Sequence, residues 1–317
     1  MKFSITIPAY KRAYLKEAID SCLAQTYKDF ELIIVNDASP EDLDSIVLAY
    51  EDKRIRYYKN EKNCGAINVV NNWNKCLDYA KGDYIICMGD DDLLLPCCLE
   101  EYVKLMEKYP RLGVYHAWTE IIDENGRFFQ MTDARPEYES VYSLIWHRWR
   151  SRLQYIGDFL FDTQSLKDNG GFYNLPLAWG SDDITAFTAA ITHGIANTQC
   201  LCFCYRNNRQ TITKTSSVEF KLEAVNKEMS WYKSFLNIVP ESGLDKKFRT
   251  DILNLSYRHF FLKKQELITE DLKGKSVVRL IFWMKRMKKY QLSKKLLFIS
   301  VIKSLKIYFN CMWKRNM

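Results

Sequence analysis

The residues best able to do chemistry in this 317-residue sequence are aspartates that follow short apolar runs. Residues 89–92 read Gly-Asp-Asp-Asp directly after the apolar run 84–88, and Asp37 comes soon after another such run. Adjacent carboxylates repel one another unless a cation neutralises them. These residues therefore indicate a hard divalent metal, which prefers oxygen ligands and is often held by substrate phosphates as well. The alternative is a solvated turn in which Asp92 caps a helix that begins near Leu94.

The elements that must position these aspartates alternate between strand and helix. Short β-branched runs predict the strands, and apolar residues at helical spacing predict the helices between them. The strands are expected at residues 3–7, 30–35, 55–58, 84–88 and 113–117, and the helices at 14–24, at 43–50, between Gly65 and Gly82, and between Pro96 and Pro110. This order predicts a doubly wound, mostly parallel α/β sheet flanked by helices. Ligands bind beyond the carboxyl ends of such strands, so Asp37 and residues 89–92 should share one cleft.

The pattern changes after residue 118. Residues 123–126 predict the turn of a hairpin and residues 185–193 a helix, and the chain from residue 216 onward has a helical pattern. The apolar fraction of 47% and the aromatic fraction of 14% allow a sizeable core and exclude a disordered chain. We therefore expect an α/β domain followed by a C-terminal helical extension.

Four segments resemble, in order and at family spacing, the signature segments of glycosyltransferase family 2. The chain is thus similar to a large family of inverting enzymes with the GT-A fold, of the type that assembles bacterial surface polysaccharides. The four segments are SITIPAYKR at residues 4–12, QTYKDFELIIVNDAS at 25–39, NCG at 63–65 and KGDYIICMGDDD at 81–92.

The resemblance implies a binding site for a nucleotide diphosphate sugar. Tyr10 would pack on the nucleobase, Asp37 would accept from a base N–H group, and Asp90 would contact the ribose. Asp91, together with Asp90, would ligate the Mn²⁺ or Mg²⁺ ion that bridges the two phosphates. Further implied donor-binding positions are Pro8, Asn63 and Gly65. The first aspartate of the family's D-x-D-D motif falls on Gly89 here, so the division of roles between Asp90 and Asp91 stays open.

Two further segments resemble parts of the donor site. Residues 170–172, Gly-Gly-Phe, resemble the loop beside the donor sugar, which implies donor contacts for Gly171 and Phe172. Residues 205–208 resemble a Tyr-Arg-x-His element whose histidine completes the metal or phosphate site, and Asn208 occupies the histidine position. Cations that could serve the diphosphate instead are Arg206 and Arg209. The Q-x-x-R-W signature of processive synthases is absent, which favours an enzyme that adds a single sugar.

The general base is implied by residues 179–183, Trp-Gly-Ser-Asp-Asp, which resemble the family's Gly-Glu-Asp segment. By this spacing Asp182 takes the Glu position and Asp183 the position of the base. An inverting transfer needs one carboxylate to accept the proton of the attacking hydroxyl. The alternative role for this pair is capping a helix N-terminus. Trp179 is the candidate for stacking on the acceptor sugar, and residues 146–152, WHRWRSR, either line the acceptor cleft or divide between core and surface.

The ten cysteines predict reduced thiols, because several fall inside apolar helix or strand patterns. Cys200, Cys202 and Cys204 alternate, so they would share one face of a strand. A metal site there is an open alternative, although no C-x-x-C pair or histidine accompanies them. The four histidines show no metal spacing and are predicted to be structural.

The C-terminal segment is strongly basic. Residues 271–317 contain thirteen Lys and Arg and one acidic residue, a net +12, whereas the whole chain carries +7, so residues 1–270 sum to −5. Apolar residues lie among the lysines, with Trp283 and Trp313 available for an interface. This pattern predicts peripheral contact with an anionic membrane. The alternative is a helix packed on the domain with a solvated lysine face; nucleic acid is not expected, since no recognition motif is present.

These observations predict a metal-dependent, inverting glycosyltransferase that moves a sugar from a nucleotide diphosphate donor, UDP on family grounds, to a carbohydrate or lipid-linked acceptor. Residues 1–118 would form the nucleotide-sugar-binding half, 119–215 the acceptor-binding half of the same domain, and 216–317 the basic extension. With no signal peptide and no apolar window of membrane-spanning length, we expect a cytoplasmic protein at the inner face of the plasma membrane.

Two alternatives remain. One is an inactive, transferase-like protein that binds nucleotide sugars or acts as a scaffold, which the departures at Gly89 and Asn208 keep open. The other is a sugar-nucleotide pyrophosphorylase. That enzyme would need a glycine-rich phosphate loop after the first strand, and the loop here reads Pro-Ala-Tyr-Lys-Arg.

Overall fold

The structure is a computed structural model that describes residues 2–208, 217–273 and 277–315. The chain divides into two compact units. The first unit comprises Met1–Asn174 and Ser181–Lys214, and the second comprises Leu175–Gly180 and Thr215–Met317.

The first unit is built on one sheet. Its ten strands, counted over the described residues, are β1 (Phe3–Ala9), β2 (Phe30–Asn36), β3 (Ile55–Lys59), β4 (Tyr84–Cys87), β5 (Leu93–Leu94), β6 (Val114–Ile122), β7 (Phe128–Met131), β8 (Tyr138–Glu139), β9 (Phe159–Asp162) and β10 (Ile195–Arg206). The strand order is β3-β2-β1-β4-β9-β6-β10-β5, with β7 paired to β6 and β8 paired to β10.

One half of this sheet is parallel, as the alternating pattern predicts. β3, β2, β1 and β4 pair in parallel, with Phe3 opposite Phe30 and Ala9 opposite Asn36. β1 and β2 are buried over almost their whole length, as expected of strands covered on both faces. The carboxyl ends of these four strands meet at one edge, where the Asp37 N–H donates to the Ala9 carbonyl at 2.9 Å.

The other half of the sheet is mixed. β9 lies between β4 and β6 and is antiparallel to both, β10 runs parallel to β6, and β5 pairs antiparallel with β10. The hairpin predicted at residues 123–126 joins β6 to β7. The α/β fold class is therefore confirmed, but the strands that follow residue 118 add antiparallel pairs that the helical and strand periodicities did not predict.

Seven helices lie in the described part of the first unit. They are α1 (Leu15–Leu23), α2 (Asp44–Val47), α3 (Val69–Tyr79), α4 (Cys98–Lys108), α5 (Val141–Arg148), α6 (Thr163–Asp168) and α7 (Ser181–Ala190). α4 begins at Cys98 with Cys97 at its N-cap, and β5 occupies residues 93–94. The interpretation of Asp92 as the cap of a helix near Leu94 is therefore wrong, because the chain makes a short strand before the helix begins.

The second unit is helical in its described residues. It contains α8 (Val218–Phe235), α9 (Gly243–Leu272), α10 (Val277–Arg286) and α11 (Lys294–Arg315). Its core includes Leu222, Ile268, Trp283 and Tyr290. The Trp283 indole is fully buried and donates to Asp271 Oδ2 at 2.7 Å. The expectation that Trp283 is available for an interface is wrong, because this hydrogen bond and the core packing hold its side chain inside the unit.

The two basic helices nevertheless keep an exposed apolar surface. Its large, exposed members are Val277, Val278, Ile281 and Met284 on α10, and Phe298, Ile302 and Leu305 on α11. Exposed lysines lie between them, among them Lys285, Lys288, Lys294 and Lys295. The side chain of Trp313 lies outside the described residues. None of the helices in the described ranges combines the length and the apolar character needed to cross a bilayer.

Candidate functional site

The acidic loop, residues 89–92, turns between β4 and β5 at the carboxyl edge of the parallel strands. Asp90 Oδ2 accepts hydrogen bonds from the backbone N–H groups of Tyr10 at 2.6 Å and Lys11 at 2.7 Å. Asp92 Oδ1 accepts from the backbone N–H of Arg206 at 2.9 Å. The loop is thus tied to the end of β1 on one side and to the end of β10 on the other.

Gly89 has a steric role in this loop. A Cβ atom at this position would lie 2.7 Å from Asp92 Oδ2 and 3.0 Å from Asp91 Oδ1. A side chain there would have to displace the buried Asp92 carboxylate. With glycine at this position, the acidic groups of the loop are Asp90, Asp91 and Asp92.

The carboxylates of the loop disfavour one another's charged form. Burial, and then the neighbouring charge of Asp91, raises the pKa of Asp90 to about 6, although the two N–H donors act in the opposite direction. The same two causes raise the pKa of Asp92 well above its usual range. A cation held between these groups would reverse this repulsion.

Asp91 is the most accessible of the three carboxylates, with 16% of its side chain exposed. Its Oδ2 lies 3.8 Å from Lys11 Nζ and accepts a hydrogen bond from Asn208 Nδ2. Asn208, which takes the histidine position of the family element, therefore reaches the acidic loop. Carboxylate oxygens are among the donors that Mg²⁺ and Mn²⁺ prefer, so the loop offers the type of ligand that such an ion needs.

The buried side chain of Arg206 stabilises the acidic loop. It is 1% exposed, its Nε donates to the Asp91 carbonyl at 2.8 Å, and its Nη2 pairs with Glu17 at 2.7 Å. Its guanidinium also stacks over the ring of Tyr14. Buried and paired in this way, Arg206 holds the loop in place; the other candidate cation, Arg209, lies outside the described residues.

Asp37 lies at the end of β2 and is 7% exposed. Its Oδ1 accepts from Asn60 Nδ2 at 2.7 Å and from the Cys64 backbone N–H at 3.0 Å. The Asn63 side chain accepts from the N–H of Gly65, whose φ of +77° is the left-handed conformation that glycine adopts readily. Asn63 and Gly65 thus shape a turn. The backbone N–H of Cys64, which lies between them, orients the Asp37 carboxylate.

The remaining donor candidates differ in accessibility. Tyr10 is 44% exposed, so its ring is open to packing against a planar base, whereas Pro8 lies within β1 opposite Val35. Phe172 is 1% exposed and packs edge-on against Trp73 in the core. The side chain of Phe172 therefore anchors the loop of residues 170–172 in the core.

Gly171 belongs to the same loop. It has a φ of +83°, and the Phe172 N–H that follows donates to Asn74 Oδ1 at 2.8 Å. A Cβ at Gly171 would collide with the same Asn74 side chain. The loop is thus pinned to α3, and only a residue without a side chain fits at Gly171.

Asp182 and Asp183 both lie in the first turn of α7. Asp183 is 5% exposed; its Oδ1 accepts from Arg148 Nε at 2.8 Å and from Gln154 Nε2 at 2.7 Å. Asp182 is half-buried, and after burial, the main cause, its charge adds to raising the pKa of Tyr205 and of Asp158. Asp183 is thus held by a cation and an amide, whereas the charge of Asp182 acts on a neighbouring phenol and a neighbouring carboxyl group.

A buried charged network surrounds Asp183. Arg152 Nη2 pairs with Glu139 at 2.8 Å, with both side chains less than 5% exposed, and Arg135 Nη2 donates to Gln154 Oε1 at 3.2 Å. The sequence indicated the basic stretch 146–152 but not which arginines turn inward. Within that stretch Arg148 and Arg152 bind acids, while Arg150 stacks on Trp146 at the surface.

Trp179 belongs to the second unit. Its ring lies 4.8 Å from Lys221 Nζ and lines a cavity of about 450 Å³ with residues that include Lys263, Glu266 and Lys303. An aromatic ring beside charged and polar groups is a surface of the kind that sugars bind. The acceptor role of Trp179 stays a prediction.

The fold and the site define a class of protein: a nucleotide-binding type of α/β domain with an acidic cluster at the carboxyl edge of its sheet. Residues 4–175 match the model of the family described as "Glycosyl transferase family 2", which is more than half of the chain. The chain belongs to that family, as its sequence segments predicted.

Sequence relatives agree with this membership. An uncharacterized glycosyltransferase of Rickettsia typhi is 36% identical over 142 residues, covering 44% of this chain and 43% of the relative. One of Methanocaldococcus jannaschii is 39% identical over 127 residues, covering 39% and 42%. The chain therefore spans less than half the length of these relatives.

The fold matches that of S. aureus TarS 1–349, solved in complex with UDP-GlcNAc. The TM-score is 0.65 at 18% identity, over 97% of this chain and 89% of that chain. The GT-A expectation for the fold is confirmed.

Proposed function

We propose that the protein is an inverting glycosyltransferase that moves a sugar from a nucleotide diphosphate donor onto a saccharide or lipid-linked saccharide. The observation that carries this proposal is the acidic loop at the carboxyl edge of the parallel strands, the edge at which Asp37 also lies, with the exposed Tyr10 hydrogen-bonded to Asp90. One end of this edge suits a nucleobase and the other suits a charged diphosphate.

The donor would lie along this edge. Tyr10 packs on the base, the remaining acceptor capacity of Asp37 takes a base N–H, and Asp90 lies toward the ribose. We assign the donor as a UDP-sugar, a hexose or N-acetylhexosamine, because the family favours UDP and because TarS was solved with UDP-GlcNAc.

Asp91 and Asp90 are the proposed ligands of a divalent cation, Mn²⁺ or Mg²⁺. Asp91 is the first candidate because it is the most accessible of the three carboxylates in the loop. When bound, such a cation supplies Lewis-acid stabilisation of the negative charge that develops on the departing diphosphate. Asp92 stays bonded to the Arg206 amide and keeps the loop in shape.

Asp183 is the proposed general base. Arg148 and Gln154 fix the direction of its carboxylate, while Oδ2 accepts only from Arg148 Nε, at 3.0 Å, among the hydrogen bonds described for it. Removal of a proton by such a base contributes about 10²–10⁴ in rate. The transfer itself is a single displacement, in which the acceptor oxygen attacks the anomeric carbon and its proton passes to the carboxylate. Asp182, half-buried one residue earlier, is the alternative base.

The acceptor would be met at a membrane surface. Exposed apolar residues and lysines alternate on α10 and α11, and anionic lipids enrich the cytoplasmic leaflet of membranes. We therefore propose peripheral binding at the inner face of the plasma membrane and a lipid-linked saccharide as acceptor. Trp179 is the proposed residue for stacking on that sugar.

The membrane part is tested by sedimentation with vesicles. The full chain should bind vesicles containing phosphatidylglycerol and not vesicles of phosphatidylcholine alone, with binding lost at high salt. Ile281→Ser with Met284→Ser should weaken binding at least about tenfold, because both apolar side chains are exposed on α10. Leu253→Ser, which changes an exposed apolar residue on α9, is the matched control. If the Ile281/Met284 double variant bound vesicles as well as Leu253→Ser does, α10 would not be part of the membrane interface.

The transferase part is tested by incubating the full chain with a panel of nucleotide sugars, with and without Mn²⁺, and measuring release of nucleoside diphosphate. Metal-dependent release from one donor supports the proposal. Donor binding with no release in the presence of saccharide or lipid-linked acceptors would favour an inactive, nucleotide-sugar-binding protein. Formation of a nucleoside triphosphate from pyrophosphate and the sugar nucleotide would favour a pyrophosphorylase.

A further inference from the structure

A group of thiols lies on the side of β10 that faces the start of α4. The Sγ atoms of Cys97, Cys200 and Cys202 all lie within 4.8 Å of one another, and those of Cys200 and Cys202 are 3.7 Å apart. Cys204, two residues further along the strand, points instead to Glu120 Oε1 at 3.1 Å. The metal-site alternative raised for Cys200, Cys202 and Cys204 therefore changes in membership, because the cluster contains Cys97 and not Cys204.

The 3.7 Å between the sulfur atoms of Cys200 and Cys202 is the separation of two ligands around one ion, and Cys97 Sγ lies within 4.8 Å of both. Four thiolates at about 2.3 Å from a tetrahedral Zn²⁺ have sulfur atoms about 3.8 Å apart. Side chains two residues apart on a regular strand stand about 6.6 Å apart, so Cys200 and Cys202 converge. The register of β10 against β6 shifts between Leu201 and Phe203, and such irregularities re-aim side chains.

The backbone around the thiols is fixed before any ligand arrives. The Leu95 N–H donates to the Cys202 carbonyl at 2.9 Å, and the Thr26 N–H donates to the Pro96 carbonyl at 2.9 Å. Cys97 then forms the N-cap of α4. The segment that carries Cys97 is thus hydrogen-bonded to the strand that carries the other two cysteines.

The group is also reachable from solvent. Cys202 is buried, but Cys97 and Cys200 are only partly buried. Among the described residues the cysteines form no disulfide, so all three thiols are available as ligands. The carboxylate of Glu101, on the first turn of α4, hydrogen-bonds to Cys200 and offers an oxygen donor for a fourth position.

We propose that Cys97, Cys200 and Cys202 form a binding site for a soft divalent cation of the Zn²⁺ type, separate from the acidic loop. Thiolates select such ions, whereas the oxygen ligands of Asp91 and Asp90 select Mg²⁺ or Mn²⁺. On binding, three sulfur–metal bonds form and the thiol protons pass to solvent. The ion would clamp the segment that leaves the acidic loop to β10, which carries Arg206 at its end.

The test is a titration of the full, metal-free chain with Co²⁺ under a non-thiol reductant. Thiolate ligands give cobalt an intense charge-transfer absorption in the near ultraviolet, which an oxygen site does not. We expect one equivalent to produce this band, Zn²⁺ to displace it, and Zn²⁺ to raise Tm by on the order of 5 °C. Absence of the band would overturn the proposal.

Variants locate the site. Cys97→Ser and Cys200→Ser change partly buried residues and should each weaken Co²⁺ binding at least about tenfold. Cys204→Ser, on the same strand, should leave the band unchanged, and Asp91→Asn should leave it unchanged as well. An unaltered band in both Cys97→Ser and Cys200→Ser would overturn the proposal, as would a mass two hydrogens lower that reports a disulfide within the group.

Discussion

The two acidic clusters of the first unit have opposite surroundings. In the acidic loop, Asp90, Asp91 and Asp92 face one another, and burial and mutual repulsion raise the pKa of Asp90 and Asp92. At the start of α7, Asp183 is paired with the Arg148 guanidinium and bonded by Gln154. Lys11 Nζ lies 3.8 Å from Asp91 Oδ2 in the first cluster, whereas Arg148 Nε lies 2.8 Å from Asp183 Oδ1 in the second.

This difference separates two kinds of chemistry. Carboxylates that destabilise one another's charge bind a cation strongly when one arrives, because the cation relieves the repulsion. A carboxylate already neutralised by arginine gains little from a metal ion, but its direction is fixed, which suits a group that must receive a proton from one side. The surroundings of the two clusters therefore support a metal-binding role for the acidic loop and a general-base role for the aspartates of α7.

The largest expected effect comes from Asp91→Asn. The change removes the proposed metal ligand while nearly preserving shape, and we expect kcat/KM to fall at least about a thousandfold, since a catalytic metal supplies several kcal/mol. Mn²⁺-dependent donor binding, measured by calorimetry, should be lost. Asp168→Asn, an exposed aspartate on α6, is the control and should behave as wild type. Unchanged metal-dependent binding in Asp91→Asn would break the comparison.

The second prediction distinguishes the two aspartates of α7. Asp183→Asn should lower kcat about a hundredfold or more while leaving donor affinity intact, because only proton transfer is impaired. Asp182→Asn should have the smaller effect. Full turnover by Asp183→Asn together with an inactive Asp182→Asn would reassign the base to Asp182. Donor affinity is measured separately from turnover in both variants.

The third prediction concerns the positioning of Asp183 by Arg148. Arg148→Gln removes the cation, so kcat should fall roughly tenfold and the free energy of unfolding by about 1.5–3 kcal/mol, the range for hydrogen bonds to charged groups. Arg148→Lys should restore part of both. An unchanged kcat in Arg148→Gln would reduce Arg148 to a structural role.

The smallest effect is a pH dependence of stability in the metal-free protein. Asp90 has a folded-state pKa of about 6, above the ordinary aspartate value of about 3.9, so the folded state binds its proton more tightly. Its contribution to stability is fully present below about pH 4 and is lost as the pH rises through about 6. The free energies of unfolding of wild type and Asp90→Asn, measured with urea between pH 4 and 7, should differ in their slope against pH by on the order of 1 kcal/mol per pH unit. Parallel curves would contradict the raised pKa.

Much of the fold follows from local patterns. The strands predicted at residues 3–7 and 30–35 form as parts of β1 and β2, and the stripe of α1 at Leu15, Ala18, Ile19 and Cys22 has the predicted helical spacing. The insertion of β9 between β4 and β6 was not predictable in this way. Strand pairing across more than seventy residues is decided by tertiary packing, which periodicity does not encode.

The candidate site was predictable where backbone position alone decides it. Asp37 and the acidic loop follow parallel strands, so the sheet brings them to one edge. The partners of these groups were not predictable: Arg148 and Gln154 reach Asp183 because α5 and the loop after it fold over α7. The basic stretch 146–152 predicted cations, but it did not predict which of them point toward buried acidic groups.

The two hydrogen bonds from the Tyr10 and Lys11 amides to Asp90 join the part of the edge assigned to the base and the part assigned to the diphosphate. A nucleoside diphosphate that has already given up its sugar would still engage both parts. The spent product should therefore linger and compete with fresh donor, which makes its departure a candidate for the slow step of each cycle.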